Sequence, residues 1–311
     1  MGRLGTNDQD QDQDQDQDQD QDQDQDQDQG PGHGRAATLQ NSSVYATQLQ
    51  PGVFPSEDDP NYKNAQDLAN DVRFPEYWNP ELRAYLYVNE FVVNYPKWQE
   101  QLTKAIDDAG LPKALEEKKG EQLRYVLELA DEREKRYAEI IDQHGAEGAI
   151  KHWTRMLHIT PGAVATNQLI RIARRLGEHV VKVLKYHYHV ARPSQVCPAI
   201  MPMIEVPSHP TFPAGHALQS HLISKCLEAA GRARNQPEML FHLSRRVAQN
   251  RIIAGLHYPL DNEAGVLAAE ACFTLMNQGK LFKALVKEAG RESERELTSF
   301  QVRRQREREQ K

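Results

Sequence analysis

The chain has 311 residues and a formal net charge of −7, but the charge is distributed very unevenly along it. Asp alternates with Gln from Asp8 to Gln29, and without the eleven Asp of this run the remaining residues carry +4. A mildly basic body suits an anionic ligand, whereas it is too weakly charged to indicate a nucleic-acid-binding protein.

The amino-terminal repeat is predicted to be a separate, disordered tail at 1–40. It has no apolar residue between Asp8 and Gln29, so it has nothing to bury. An acidic interaction tail and a plain low-complexity expansion are both compatible with it. From 41 to 290 the composition is that of a single globular domain, and 291–311 is a charged C-terminal tail, either a solvated helix or a frayed end.

The cysteine and hydropathy patterns bear on compartment. Cys197, Cys226 and Cys272 show neither metal-type pairing nor a disulfide framework. The sequence shows no apolar segment of the signal-peptide type and no uninterrupted apolar span of ~18 residues. We therefore expect a cytoplasmic protein without integral membrane association, which argues against an integral membrane phosphatase. A homo-oligomer is compatible with this composition.

Apolar residues recur at helical spacing through most of the body, and no alternating strand pattern appears. Helices are predicted, in chain order, at 80–95, 98–109, 121–144, 149–157, 163–191, 214–230, 238–254 and 262–277. From Arg192 to Pro213 the chain holds six prolines, which neither a helix nor a central strand accepts. The prediction is an all-α helical bundle with a long Pro-rich functional loop across one end.

The first candidate cluster lies at the end of the predicted helix 163–191. If that helix continues, Lys185, His189 and Arg192 share one face at positions i, i+4 and i+7. Cations on a helix with so many apolar neighbours need a partner, which favours an anionic ligand. The alternative is a basic, solvated stripe. We interpret His189 as structural and the two cations as ligand-binding.

The second cluster, Pro213-Ala214-Gly215-His216, leaves the Pro-rich loop and enters a helix. A helix N-terminus offers unpaired amides and the positive end of the dipole, so an anion at Gly215 is favourable. Gly215 also lets the backbone approach closely, and His216 in the first turn can reach an apical oxygen. The alternative is an ordinary first turn with a surface histidine.

The third cluster joins Arg251, His257 and Asp261. The helix 238–254 is predicted to end before Gly255, which lets the chain turn. Asp261, four residues after His257, can then accept the second ring N–H of that imidazole and raise the basicity of its free nitrogen. A histidine oriented in this way suits nucleophilic attack and metal ligation equally. The alternative is a chance pairing at a helix cap.

Together the three clusters resemble the signature shared by the type 2 phosphatidic acid phosphatase superfamily and the vanadium-dependent haloperoxidases. The resemblance covers about 163 to 271, roughly a third of the chain, and implies a helical bundle of the haloperoxidase or acid phosphatase type. By this resemblance Lys185, Arg192 and Arg251 would hold the equatorial oxygens of a bound vanadate or phosphate, with the Gly215 amide assisting.

The resemblance assigns the remaining roles as well. His257 would be the axial group, either the ligand to vanadium or the nucleophile that forms a phosphohistidine. His216 would be the acid–base partner on the opposite apical oxygen, and Asp261 would orient His257. Ala214 departs from the family, which usually has Ser there, and a lost hydroxyl donor in a buried anion site costs about 1–3 kcal/mol.

His209 favours the haloperoxidase branch of the resemblance. It lies seven residues before His216, in a stretch similar to the bromoperoxidase-type loop where a histidine tunes the oxyanion cofactor. Soluble periplasmic acid phosphatases of the superfamily usually carry a signal peptide, and none is visible here. Against this, the chain is short for a haloperoxidase.

We therefore expect a vanadium-dependent haloperoxidase-like enzyme that binds vanadate at His257 and uses hydrogen peroxide and a halide, with Lys185 helping to activate the peroxide. The alternative is a soluble acid phosphatase in which the same site binds phosphate and His257 attacks a phosphorylated small molecule, a phosphomonoester or a diphosphate. A third alternative is a non-hydrolytic relative that binds a diphosphate.

Overall fold

The structure, a computed structural model, describes residues 79–309, and for residues 146, 147, 149 and 299–309 it describes the backbone alone. The predicted tail at 1–40 and the first part of the predicted domain, 41–78, lie outside the described residues. Throughout 79–309 the chain forms helices, turns and loops and contains no strand. The all-α prediction is confirmed.

The helices follow one another with short connections. In chain order they are α1 (Pro80–Asn94), α2 (Trp98–Asp108), α3 (Leu111–Glu117), α4 (Lys119–Glu128), α5 (Arg133–Asp142), α6 (Ala146–Met156), α7 (Val164–Tyr188), α8 (Pro193–Val196), α9 (Gly215–Ala229), α10 (Glu238–Ile253), α11 (Pro259–Met276) and α12 (Lys280–Glu309). Two 3₁₀ turns, Leu129–Glu132 and Pro198–Ile200, complete the list.

The predicted helices differ from the observed ones in several places. The helix predicted at 121–144 is two helices, α4 and α5, separated by the 3₁₀ turn Leu129–Glu132. Helix α3, only one to two turns long, was missed because so short a segment has little periodicity to detect. Helix α7 ends at Tyr188 rather than at 191, since His189 adopts a left-handed φ of 51° and stops the helix.

Helix α9 lies at the centre of the bundle and packs against α7, α10 and α11. Its buried residues point to several sides, as expected of a helix surrounded by others. Helix α11 comes very close to the start of α9, because a Cβ on Gly265 would lie 2.7 Å from the Ala214 carbonyl oxygen. This close approach brings the residues before α11 next to the N-terminus of α9.

Carboxylates hold α1 and α12 against α7. Glu81 of α1 receives hydrogen bonds from Arg171, from Arg174 at 2.9 Å and from Arg175 at 2.9 Å. Glu292 of α12 accepts from the Thr166 backbone N–H at 2.9 Å and from its hydroxyl at 2.8 Å. Helix α12 runs continuously across residue 290, the predicted start of the charged tail. The contacts of Glu292 show that the beginning of the predicted tail packs against the bundle.

Arg133 of α5 ties the Pro-rich loop to the end of α10. Its guanidinium donates to the carbonyl oxygens of Ile253, Met201 and Ile200 at 2.9, 2.8 and 2.9 Å. Gly255 is required beside it, because its φ is +85° and an added Cβ would lie 2.9 Å from the Arg133 Nη2 atom. This contact fixes the loop and the chain after α10 relative to each other.

Among residues 79–309, no helix combines the length and the sustained apolar character that crossing a bilayer requires.

Candidate active site

Lys185 lies in the last turn of α7 and is 2% exposed. Its ammonium donates to the carbonyl oxygens of Pro210 and Thr211, each at 2.6 Å. Since a lysine has three N–H groups, one is left for a ligand. Burial lowers the pKa of Lys185, and the neighbouring charge of Arg192 acts in the same direction.

Arg192 lies beyond the end of α7, so the prediction that it shares a helical face with Lys185 was wrong. The two cations meet because both bind carbonyls of the Pro-rich loop. Arg192 donates through Nε to the His209 oxygen at 3.0 Å and through Nη1 to the Leu256 oxygen at 3.0 Å. Burial lowers the pKa of Arg192 to about 10, which leaves it charged at neutral pH.

The N-terminus of α9 faces the same region. Ala214 is fully buried and precedes the helix, and its N–H donates to the Asp261 backbone oxygen at 2.9 Å. The next amides belong to the first turn, where N–H groups have no partner within the helix. A Cβ on Gly215 would make only ordinary contact, 3.6 Å, with a Val181 methyl group. Packing alone therefore does not require glycine there.

His216 follows in the first turn of α9. Its Nε2 lies 3.4 Å from the Gln143 backbone oxygen, which can only accept, so a neutral ring carries its proton on Nε2 and leaves Nδ1 as the acceptor. Burial lowers the pKa of His216 to about 3, and the charges of Arg251 and His257 contribute. Without an anion in the site this imidazole is neutral.

Arg251, near the end of α10, is fully buried. Its Nη2 donates to the Ile140 carbonyl oxygen at 2.7 Å, whereas its Nε and Nη1 atoms have no hydrogen-bond partner. Burial lowers the pKa of Arg251 to about 10, so it too stays charged. Unpaired donors of a buried charged group are costly, and an oxyanion would satisfy them.

His257 and Asp261 form a buried pair at the start of α11. The His257 Nδ1 atom lies 2.9 Å from Asp261 Oδ2, which also accepts the Tyr258 backbone N–H at 3.0 Å. This leaves His257 Nε2 with a free lone pair, as ligation or nucleophilic attack requires. Burial raises the pKa of Asp261 and lowers that of His257, while donors to the carboxylate act in the opposite direction.

Three contributors to the site were missed by the sequence analysis. Thr211 is fully buried, and its hydroxyl lies 3.0 Å from His257 Nδ1. The other two are the backbone carbonyls of Ile140 and Gln143, at the end of α5. A backbone carbonyl leaves no signature in a sequence, and α5 carries no matching motif. The threonine was visible, but a loop threonine has too many other roles.

The three predicted clusters come together at one end of the bundle. Lys185 and Arg192 both donate to the Pro210 oxygen, at 2.6 and 3.5 Å, and Arg192 and Thr211 both donate to the Leu256 oxygen. Burial lowers the pKa of His257 most, and the nearby charges of Lys185, Arg192 and Arg251 lower it further. His209 is exposed, and its Nδ1 lies 3.1 Å from the Arg192 Nη2 atom.

The charge balance of this group is positive. Three buried cations, Lys185, Arg192 and Arg251, stand against Asp261, the one acidic residue within the described chain that is buried to the same degree. With neutral imidazoles the group has a net charge of about +2 when Lys185 is protonated. A tetrahedral dianion such as phosphate or vanadate would supply the matching charge and the acceptors that Arg251 lacks.

Comparison with known proteins gives one family. The model described as "PAP2 superfamily" matches residues 166–283, a segment that contains all three clusters. No curated protein matches the chain.

Proposed function

The chain belongs to the PAP2 superfamily through residues 166–283, and we propose that it is a vanadium-dependent haloperoxidase-like enzyme. The superfamily includes phosphatases and haloperoxidases and is typically enzymatic. The proposal names vanadate as the bound group and hydrogen peroxide and a halide as the substrates.

The observation that carries the proposal is the unsatisfied guanidinium of Arg251. Two of its buried nitrogen atoms have no partner, and the surrounding cations outnumber the buried carboxylate. Leaving buried donors of a charged group unpaired costs several kcal/mol unless a ligand fills the gap. An oxyanion with several acceptor atoms fits this donor set, whereas an uncharged ligand does not.

Each residue of the oxyanion site has a role under this proposal. Arg192, Arg251 and the third N–H of Lys185 would donate hydrogen bonds to the oxygens of the bound oxyanion, assisted by the Gly215 amide. His257 would bind through Nε2, with Nδ1 held by Asp261. When bound, vanadate would supply Lewis-acid activation of hydrogen peroxide for the two-electron oxidation of a halide.

His216 would move the proton. Its Nδ1 atom is the acceptor of the neutral ring, and the nearby dianion would raise the pKa of the imidazole from its low ligand-free value. His216 could then accept a proton from hydrogen peroxide at Nδ1 and donate it to hydroxide, which leaves as water. Lys185 would stabilise negative charge on the reacting oxygen by its own positive charge.

His209 favours the haloperoxidase over its relatives. Its imidazole contacts Arg192, one of the proposed oxyanion donors, at 3.1 Å. An imidazole in contact with this guanidinium constrains its position and would so act on the oxyanion indirectly.

A phosphatase is the second candidate, because the His257–Asp261 pair is equally suited to a nucleophile. His257 Nε2 would attack phosphorus, the bond from phosphorus to the leaving oxygen would break, and His216 would protonate that oxygen. Water, deprotonated by His216, would then release phosphate and restore His257.

Two assays on the same protein separate these candidates. After loading with vanadate, we expect bromination of a dye that depends on both peroxide and bromide, and little hydrolysis of p-nitrophenyl phosphate. His257→Ala should abolish bromination, and exposed His187→Ala should leave it unchanged. Bromination without vanadate contradicts the haloperoxidase, and hydrolysis that survives His257→Ala contradicts the phosphatase. Failure of both assays, with vanadate still bound, would favour a non-hydrolytic, diphosphate-binding protein.

A further inference from the structure

Thr211 contributes a buried side chain to the oxyanion site and belongs to none of the three predicted clusters. It is fully buried, whereas its neighbours Ser208 and His209 in the Pro-rich loop are exposed. A fully buried polar side chain requires hydrogen-bond partners, so the partners of Thr211 indicate its role in the site.

The Thr211 hydroxyl contacts both members of the His257–Asp261 pair. Its Oγ1 atom lies 3.0 Å from His257 Nδ1, hydrogen-bonds Asp261 Oδ2 and lies 3.3 Å from the Leu256 oxygen. A hydroxyl has one proton to donate, and the carboxylate is the strongest of these acceptors. The hydroxyl therefore donates to Asp261, and the Nδ1–H of His257 reaches the same carboxylate oxygen.

The Asp261 carboxylate depends on this arrangement. Its Oδ2 atom receives His257, Thr211 and the Tyr258 N–H, whereas its Oδ1 atom has no hydrogen-bond partner. Because all the donors converge on one oxygen, rotation of the carboxylate would break every bond at once. The Thr211 hydroxyl is the donor to this oxygen that comes from outside the segment 257–261.

The Thr211 backbone contacts Lys185, on the other side of the oxyanion site from His257 and Asp261. Its carbonyl oxygen accepts from Lys185 Nζ at 2.6 Å, and its N–H donates to the Val190 oxygen at 2.9 Å. One residue thus contacts Lys185 through its main chain and the His257–Asp261 pair through its side chain.

We propose that Thr211 is a positioning residue that sets the orientation of His257 relative to Lys185 by holding the Asp261 carboxylate. The inference rests on the proposed oxyanion site and deepens it. Partners that orient a metal-ligating histidine change affinity about 10- to 100-fold when they are removed. We expect an effect of that size on vanadate affinity.

The test compares Thr211→Val, which removes the hydroxyl and keeps the shape, with Thr211→Ser, which keeps the hydroxyl. Calorimetric titration with orthovanadate should show about 10- to 100-fold weaker binding for Thr211→Val and nearly unchanged binding for Thr211→Ser. Thr166→Val is the matched control, because Thr166 is also fully buried and hydrogen-bonds a carboxylate, Glu292, at 2.8 Å. It should leave vanadate affinity unchanged.

A second readout needs no oxyanion. In ligand-free protein, the NMR resonance of the His257 Nδ1 proton reports the bond to Asp261. It should be sharp in wild type and in Thr211→Ser, and broadened or shifted in Thr211→Val. If Thr211→Val does not fold, Thr211→Ala takes its place beside Thr211→Ser.

Three results would overturn the inference: unchanged affinity and resonance in Thr211→Val, an equal loss in Thr211→Ser, or an equal loss in Thr166→Val. Wild-type protein that binds neither vanadate nor phosphate would instead refute the proposed function. The resonance of His257 would still decide the role of Thr211 in that case.

Discussion

Helix α7 carries buried cations in its first half and in its last turn, and their partners differ in kind. In the first half, Arg174 and Arg175 meet the carboxylate of Glu81. In the last turn, the hydrogen bonds of Lys185 go to carbonyl oxygens. Carbonyls orient a cation but carry no net charge, so the second group keeps its positive field, whereas Glu81 and Glu178 offset much of the first.

Under the proposed function, this difference separates structural charge from functional charge. A buried cation that is paired with a carboxylate holds two helices together, as Glu81 does for α1 and α7. Under the proposed function, Lys185 and Arg192, which are paired with carbonyls, are available to an incoming anion. Arg251, with two unpartnered nitrogen atoms, is the extreme of the second kind.

The largest expected effect comes from Arg251→Gln. Removing one preorganised donor to a developing charge typically costs about 10²- to 10³-fold in turnover, and we expect that loss in whichever of the two activities the protein shows. The free energy of unfolding without ligand should stay equal or rise, because an uncompensated buried charge disappears. Urea unfolding and steady-state kinetics measure the two quantities. A large loss of stability would mean that Arg251 is structural.

Glu81→Gln should show the opposite pattern. Breaking a buried ion pair leaves unpaired cations behind, and we expect the free energy of unfolding to fall by about 2–3 kcal/mol, since Glu81 is slightly exposed. Activity of the folded protein should be unchanged. Glu116→Gln, at an exposed position of α3, is the matched control and should change neither quantity. Lost activity in folded Glu81→Gln would contradict the division between the two groups.

The contribution of Glu81 to the free energy of unfolding should depend on pH. Burial alone would raise the pKa of Glu81, but hydrogen bonds from Arg171 and Arg175 and the charge of Arg174 bring it below its ordinary value. The stabilisation is therefore complete above the unfolded pKa of about 4.3 and is lost as the pH falls through the lower, folded value. Urea unfolding of wild type and Glu81→Gln should differ at pH 7 and converge only as the pH falls below the folded pKa of Glu81.

The smallest effect is a gain. Ala214→Ser restores a hydroxyl beside the proposed oxyanion, and we expect about 3- to 10-fold tighter binding of orthovanadate, near 1 kcal/mol. Ala217→Ser, in the same buried cluster of alanines, controls for the added oxygen and should not tighten binding. Unchanged affinity in Ala214→Ser would place this position away from the anion.

The sequence predicted the charged side chains of the site and not the way they meet. Lysine and arginine are seldom buried. Cations among apolar residues, such as Lys185, therefore stand out in the sequence even without coordinates. Their meeting depends on the left-handed His189 and on carbonyls of the loop, and neither has a compositional signal. Most helix bounds were close, because apolar periodicity is a strong signal over long segments and a weak one over the two turns of α3.

Arg133 limits how this protein can be divided. The family match begins at residue 166, yet the loop that supplies the carbonyls for Lys185 is fastened by a side chain 33 residues earlier. A chain shortened to the matched segment would lose that fastening and, with α5, the Ile140 oxygen that orients Arg251. The smallest fragment expected to keep the oxyanion site intact therefore includes the helices upstream of the matched segment 166–283.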